Sequence, residues 1–316
     1  MIFGEGRAKD AYRRVLWGPV AEGLMSLPGP WDQWVVRALG RSAVRFAGRK
    51  HQEVLDNLRR AFPSGVAANG SPLEQVVSDA FATHFANQYI GFSFPSCGKD
   101  NWPDYLEIRG LDVLQSHVDE GRGVVLAHPH MGPAQLPLHV LGVIGLPMVQ
   151  VGGGRITRVT LSETGEWARQ RRAQLESRMP VDVHDGKHFL RPLLRSLASG
   201  SVVMTAADGT GGGEEIGRRL NRPVLEHSMG IAVGSVWLAA MSGAPLLTLH
   251  CFRNPRPGSM YVAEIGSEIP LDRDQPMDSI LEDGADHLGD WLDRILRSHP
   301  GDWLFWDGFA PGALLP

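Results

Sequence analysis

From Gly121 onward, four short apolar runs, VVLAH (124–128), PMVQV (147–151), VVMTA (202–206) and APLLTLHCF (244–252), alternate with amphipathic helical stretches. Each run is shorter than a typical helix and apolar throughout, as a strand buried on both faces must be. The pattern predicts a sheet covered by helices, with helices over 133–144, 158–176, 187–199, 229–242 and 278–298. Ahead of it, helical periodicity runs through 8–62, breaks at Pro28 to Pro30, ends at Pro63 and resumes over 72–92. A Pro-, Gly- and Asn-rich loop (94–104) and a short helix from Leu111 to Glu120 join the two regions. The expected fold is α/β, a mixed central sheet covered by helices, with a helical N-terminal region (1–105) preceding the sheet region (106–316). At 316 residues, 43% of them hydrophobic, the chain can bury the core this requires.

Charge is uneven along the chain. Residues 1–60 carry 11 Lys/Arg against 6 Asp/Glu, a net of +5, so the formal total of −4 leaves −9 for the remainder. Such a balance argues against a nucleic-acid partner. In the basic segment Leu16, Val20 and Leu24, then Trp34, Val35 and Leu39, recur at helical spacing. A membrane-surface helix and a helix packed on its own domain both produce that pattern. The longest uncharged stretch, between His227 and His250, is interrupted by Ser242, Gly243, Ala244 and Pro245, which predicts a buried helix and strand and no membrane span. The N-terminus lacks the apolar run and cleavage site of a secretory signal. Cys97 and Cys251, the two cysteines, form neither a disulfide framework nor a zinc motif. A cytoplasmic setting, peripheral on the inner membrane if the basic segment binds lipid, is expected.

The segment GRGVVLAHPHMGPAQLPLH (121–139) carries the most chemistry. A buried strand ends at His128 and His130, and Gly132 and Pro133 then open a helix whose N–H groups point into the same crevice. Three readings are open. His130 can act as a general base toward a hydroxyl or amine; His128 and His130 can ligate a metal, as in a metal-dependent hydrolase; or both imidazoles can satisfy backbone carbonyls and do no chemistry. The glycine runs at 152–154 and 211–213 lack phosphate-loop spacing, so no nucleotide site is expected.

Five blocks resemble, in order, the lipid A late acyltransferases and the related phosphatidylinositol mannoside acyltransferases of the lysophospholipid acyltransferase-like superfamily. KHQEVLDNLRRAFP (50–63) is similar to the helix before the family's catalytic half, and GLDVLQSHVDEGRGVVLAHPHMGPAQ (110–135) to its helix, strand and H-x-x-x-x-E/D block. GKHFLRPLLRSLASGSVVMTAADGTGG (186–212) resembles its helix, strand and Asp-containing loop, and RRLNRPVLEHSMGIAVGSVWLAAMSGAPLLTLHCFR (218–253) its Gly-bearing segment, helix and strand. HPGDWLFW (299–306) is similar to its terminal tryptophan motif. The resemblance implies direct transfer of an acyl group from a thioester, on acyl carrier protein or coenzyme A, to a hydroxyl or amine of a small-molecule or lipid acceptor. It implies no metal, no tightly bound cofactor beyond the acyl-phosphopantetheine or acyl-CoA donor, and His130 as the base. A module that binds acyl groups or carrier protein without transfer is the non-catalytic alternative.

The resemblance also marks departures. Gln135 stands where the family has Glu or Asp; its amide oxygen can orient His130 but supplies no charge. Asp208, Glu214 or Glu226 can stand in as a replacement acid, Asp208, at a strand end, being the favoured one; the alternative is an acceptor that needs little activation, such as an amine. His128, Gly132, Arg155, Arg218, Arg219 and Glu226 are the expected substrate contacts, the Arg218–Arg219 pair matching a basic position in the family. Trp291, Trp303 and Trp306 are candidates to line an acyl channel. In the lipid A enzymes an arginine follows the strand after the histidine helix, and an arginine pair follows the terminal tryptophan. Here Gly152 takes the first place, with Arg155 and Arg158 beyond it, and Asp307 and Gly308 take the second. An acceptor that is not a phosphorylated glycolipid is expected, an uncharged or amine-bearing biosynthetic intermediate instead.

Overall fold

The computed structural model of the chain describes residues 7–152, 162–185, 190–208 and 217–309. The N-terminal region is helical as expected: α1 (Arg7–Val15), a π-helical turn (Leu16–Val20), α2 (Ala21–Met25), α3 (Trp31–Ala43), α4 (Arg49–Ala61) and α5 (Leu73–Ser93). A short α6 (Trp102–Tyr105) leads into β1 (Leu106–Arg109), α7 (Leu111–Asp119), β2 (Val124–His128), α8 (Gln135–Val143), β3 (Met148–Gly152), α9 (Glu163–Glu176), β4 (Asp182–Asp185), α10 (Arg191–Ala198) and β5 (Val202–Ala206). After a hairpin, β6 (Arg219–Val224) and β7 (His227–Ala232), come α11 (Gly234–Ser242), β8 (Leu246–Arg253), β9 (Tyr261–Ile265) and α12 (Met277–Ser298).

Seven strands form one sheet in the order β1-β9-β8-β2-β5-β3-β4, parallel except between β8 and β9. Alternation along β2 explains the apolar runs. Val125 and Ala127 pack with α10, α11 and α12 on one face, whereas Val124 and Leu126 pack with α7 and α8 on the other. The four strands read from the sequence are β2, β3, β5 and β8. Those not read from it are the four-residue β1 and β4, the hairpin strands β6 and β7, and β9, which is buried but follows a loop without a helix before it; β7 replaces the first turn of the helix expected over 229–242. The β6–β7 turn is closed by Leu225 and Glu226 at φ of +50° and +63°, positions where Gly or Asn would be the usual sign. No described helix is long and apolar enough to cross a membrane, and the uncharged stretch before His250 is β7, α11 and β8.

The basic N-terminal segment divides. Leu24 is buried, and Leu16 and Val20 pack with it against Trp17, Tyr89 and Phe92, so this half covers the protein's own core. Trp34 (53% exposed), Val35 and Leu39 face solvent, together with Trp31 and Phe46 (79%).

Candidate active site

Strands β2 and β5 are parallel neighbours paired from Val124 with Val202 to His128 with Ala206, and the Ala207 N–H continues the ladder to the His128 carbonyl at 2.8 Å. Two residues past each strand end, His130 and Asp208 therefore face each other at the C-terminal edge of the sheet, where open α/β sheets gather ligands. His130 Nδ1 lies 2.8 Å from Asp208 Oδ1. The His130 backbone N–H and the Trp303 indole N–H both donate to Asp208 Oδ2, each at 2.8 Å.

Asp208 is fully buried, and His130 keeps 25% of its side chain exposed. Burial alone would push the Asp208 carboxyl up, but the facing His130 and three donated hydrogen bonds outweigh it and hold the group below its ordinary value. An ionised Asp208 accepts a hydrogen bond from Nδ1–H and so keeps the proton on that nitrogen, which leaves the Nε2 lone pair as the basic position. The Phe305 ring packs against His130 at 4.7 Å between centroids.

The C-terminal block is zipped to the histidine loop. Leu304 N–H donates to the His130 carbonyl (3.0 Å), Gly132 N–H donates to the Asp302 carbonyl (2.7 Å), and Met131 bridges to Trp303. Behind it the buried Asp302 carboxylate accepts from Thr83 Oγ1 (3.2 Å) and the Arg253 N–H (3.3 Å). Gly132 sits at φ +58°, and a Cβ there would meet the Cys251 carbonyl oxygen at 2.7 Å. Trp303, expected from the sequence only as a channel residue, is a donor to the acid. Its only sequence sign is the motif spacing that aligns HPGDWLFW with the histidine block. Trp303 and Trp306 line a cavity beside the histidine loop, whereas Trp291, on α12, packs beside His250 and lines a separate cavity.

The other candidates are distributed as follows. His128 is buried, its Nδ1 3.1 Å from the Pro129 carbonyl; burial and the neighbouring His130 lower its pKa to about 4, so it is neutral. Gln135 turns away from His130: its amide donates to Glu176 Oε1 (2.9 Å), which also accepts from Arg172 Nε (2.6 Å). The expected orienting contact to His130 is thus made by Asp208, because the partner strand brings a carboxylate closer than the α8 side chain. Arg218, at the base of the β6–β7 hairpin near Ala207, forms an ion pair with Asp278. Arg219 opens β6 opposite Ala232. Glu226 sits at the hairpin's far turn, about 17 Å along the strands from that base, so the structure does not bring it to His130. Arg155, Arg158 and Glu214 lie outside the described residues. Asp307 pairs with Lys50 (3.2 Å), which also reaches Glu53 (3.1 Å). Among the described residues no group of three His, Cys, Asp or Glu is placed to hold a metal ion.

No curated protein matches the chain. Residues 15–306, nearly its whole length, match the model of the bacterial lipid A biosynthesis acyltransferase family. The protein therefore belongs to that family and is an acyltransferase.

Proposed function

We propose that the protein transfers an acyl group directly from a thioester, carried by acyl carrier protein or coenzyme A, to a hydroxyl or amine, with His130 as general base and Asp208 as its charge partner. The observation that carries this reading is the buried Asp208 on His130 Nδ1, held by the Trp303 indole. As the acceptor oxygen or nitrogen attacks the thioester carbonyl, His130 Nε2 takes its proton. When the tetrahedral intermediate collapses, the C–S bond breaks and the sulfur leaves with that proton. Asp208 stabilises the imidazolium in between, as the acid of a hydrolase triad does. A charged partner at His130 means that hydroxyl acceptors need no special activation, so hydroxyls and amines stand equally here.

An acceptor without phosphate is supported by the terminal block. Lys50 is shared between Asp307 and Glu53, and Asp307 sets a carboxylate where a phosphate-binding arginine pair would stand. A peripheral place on a membrane surface is supported by the α3 face. Trp31, Trp34, Val35 and Leu39 are exposed there, and Phe46 with the exposed cations Arg45 and Arg49 follows just past the end of α3, a combination suited to an anionic lipid interface.

The test is incubation of purified protein with acyl-CoA or acyl carrier protein and a panel of neutral, amino and phosphorylated lipid acceptors, with products read by mass spectrometry. Acylated neutral or amino acceptors are expected; efficient acylation of the phosphorylated glycolipid alone would overturn the acceptor assignment.

A further inference from the structure

A cavity of about 330 Å³ lies beside the C-terminal block, enclosed by α1, α4, α5 and α9, with Trp303, Leu304 and Trp306 as one wall. Most of its lining is apolar. The basic side chains that border it are paired, Arg13 with Asp10, Lys50 with Asp307 and Glu53, Arg169 with Glu166 and Arg172 with Glu176, which sets the polar residues of α5 apart. His84 and Gln88 are one turn apart on that helix and both reach the cavity, as does Tyr89. Among the described residues His84 and Gln88 make no hydrogen bond, and the buried Tyr89 hydroxyl has no partner. Polar side chains in an apolar wall are normally paired, because leaving such groups unmatched is costly. A plain hydrocarbon occupant would leave all three unmatched.

We propose that this cavity holds an aliphatic chain bearing a hydroxyl or keto oxygen, recognised by His84 and Gln88. The inference rests on the acyl-transfer reading above in one respect: the chain is then the acyl part of the donor. Burial lowers the His84 pKa to about 4, so the ring is neutral and offers one donor and one acceptor, a match for a hydroxyl and a poor match for a carboxylate. The Gln88 amide offers the same pair of roles one helical turn away, about 5–6 Å, so the oxygen falls within a window of a few methylenes along the chain.

The experiment is calorimetric titration of the full chain with a saturated fatty acid and its hydroxylated counterparts of equal length, the hydroxyl moved stepwise along the chain. One hydroxyl position should bind about tenfold more tightly than the unsubstituted acid. His84→Phe and Gln88→Leu should each reduce that preference while retaining the unsubstituted acid. Equal affinity for all chains, a preference that survives both substitutions, or binding of none of them would overturn the proposal. The wild-type comparison needs no variant to fold. Thioester consumption assayed in parallel separates the two failures, since transfer without a hydroxyl preference overturns only this inference.

Discussion

Asp208 reaches His130 from the neighbouring strand, and this changes what Gln135 is for. The Gln135 amide joins α8 to α9 through Glu176 and Arg172, a structural tie between helices. Gln135→Glu should therefore not raise activity. It sets a second carboxylate against Glu176, partly relieved by Arg172 and by solvent, and should lower stability by roughly 0.5–1 kcal/mol. Thermal melts of the two proteins with a parallel transfer assay check this; a faster Gln135→Glu enzyme would show that position 135 does act on His130. Position 135 was misleading in the sequence because motif spacing fixes an order along one chain segment. The contact to His130 depends on which strand lies beside β2, and the paired residues of β5 are 78 positions further on, as Asp208 is from His130. The AADGTGG loop marked Asp208 as a strand-end acid, but pairing made it a partner.

At the scale of elements, the four hydrophobic strands and most helices were legible because burial on both faces writes an unbroken apolar run. The β6–β7 hairpin was not, since its turn uses Leu225 and Glu226 in the left-handed region and its first strand carries Arg219, Asn221, Arg222 and Pro223 in place of an apolar run. Nor was the short pairing of Met131 with Trp303, which leaves no periodic signature. That pairing makes Gly132 a point where three elements meet: the histidine loop, β8 and the C-terminal block. Gly132→Ala should cost about 2–4 kcal/mol, combining a left-handed backbone with a Cβ pressed on the Cys251 carbonyl. Transfer activity should fall with it, because the Gly132 N–H holds the Asp302 carbonyl next to Trp303. Denaturant unfolding measures the loss, and an unchanged midpoint would contradict this account of the loop.

For the whole molecule, the division of the N-terminal segment into a core-packed half and an exposed half follows from tertiary packing, which amphipathic spacing alone does not report. Charge asymmetry, by contrast, was readable directly. The exposed α3 face predicts that the protein floats with anionic vesicles and much less with neutral ones, and that replacing Trp31, Trp34 and Phe46 together by Ser releases it; cofloatation assays at two salt concentrations check both points. Equal recovery with the triple variant would place the lipid contact elsewhere. The proposed coupling of His130 and Asp208 is read out by the rate of acyl transfer from a thioester donor in His130→Ala, Asp208→Asn, His128→Gln and the double His130→Ala/Asp208→Asn variant. His130→Ala should lose about 10²- to 10⁴-fold, Asp208→Asn a comparable factor, and the double variant should be no slower than His130→Ala, whereas His128→Gln should retain most of the rate. Losses that multiply in the double variant, or a His128→Gln defect as deep as that of His130→Ala, would contradict that coupling.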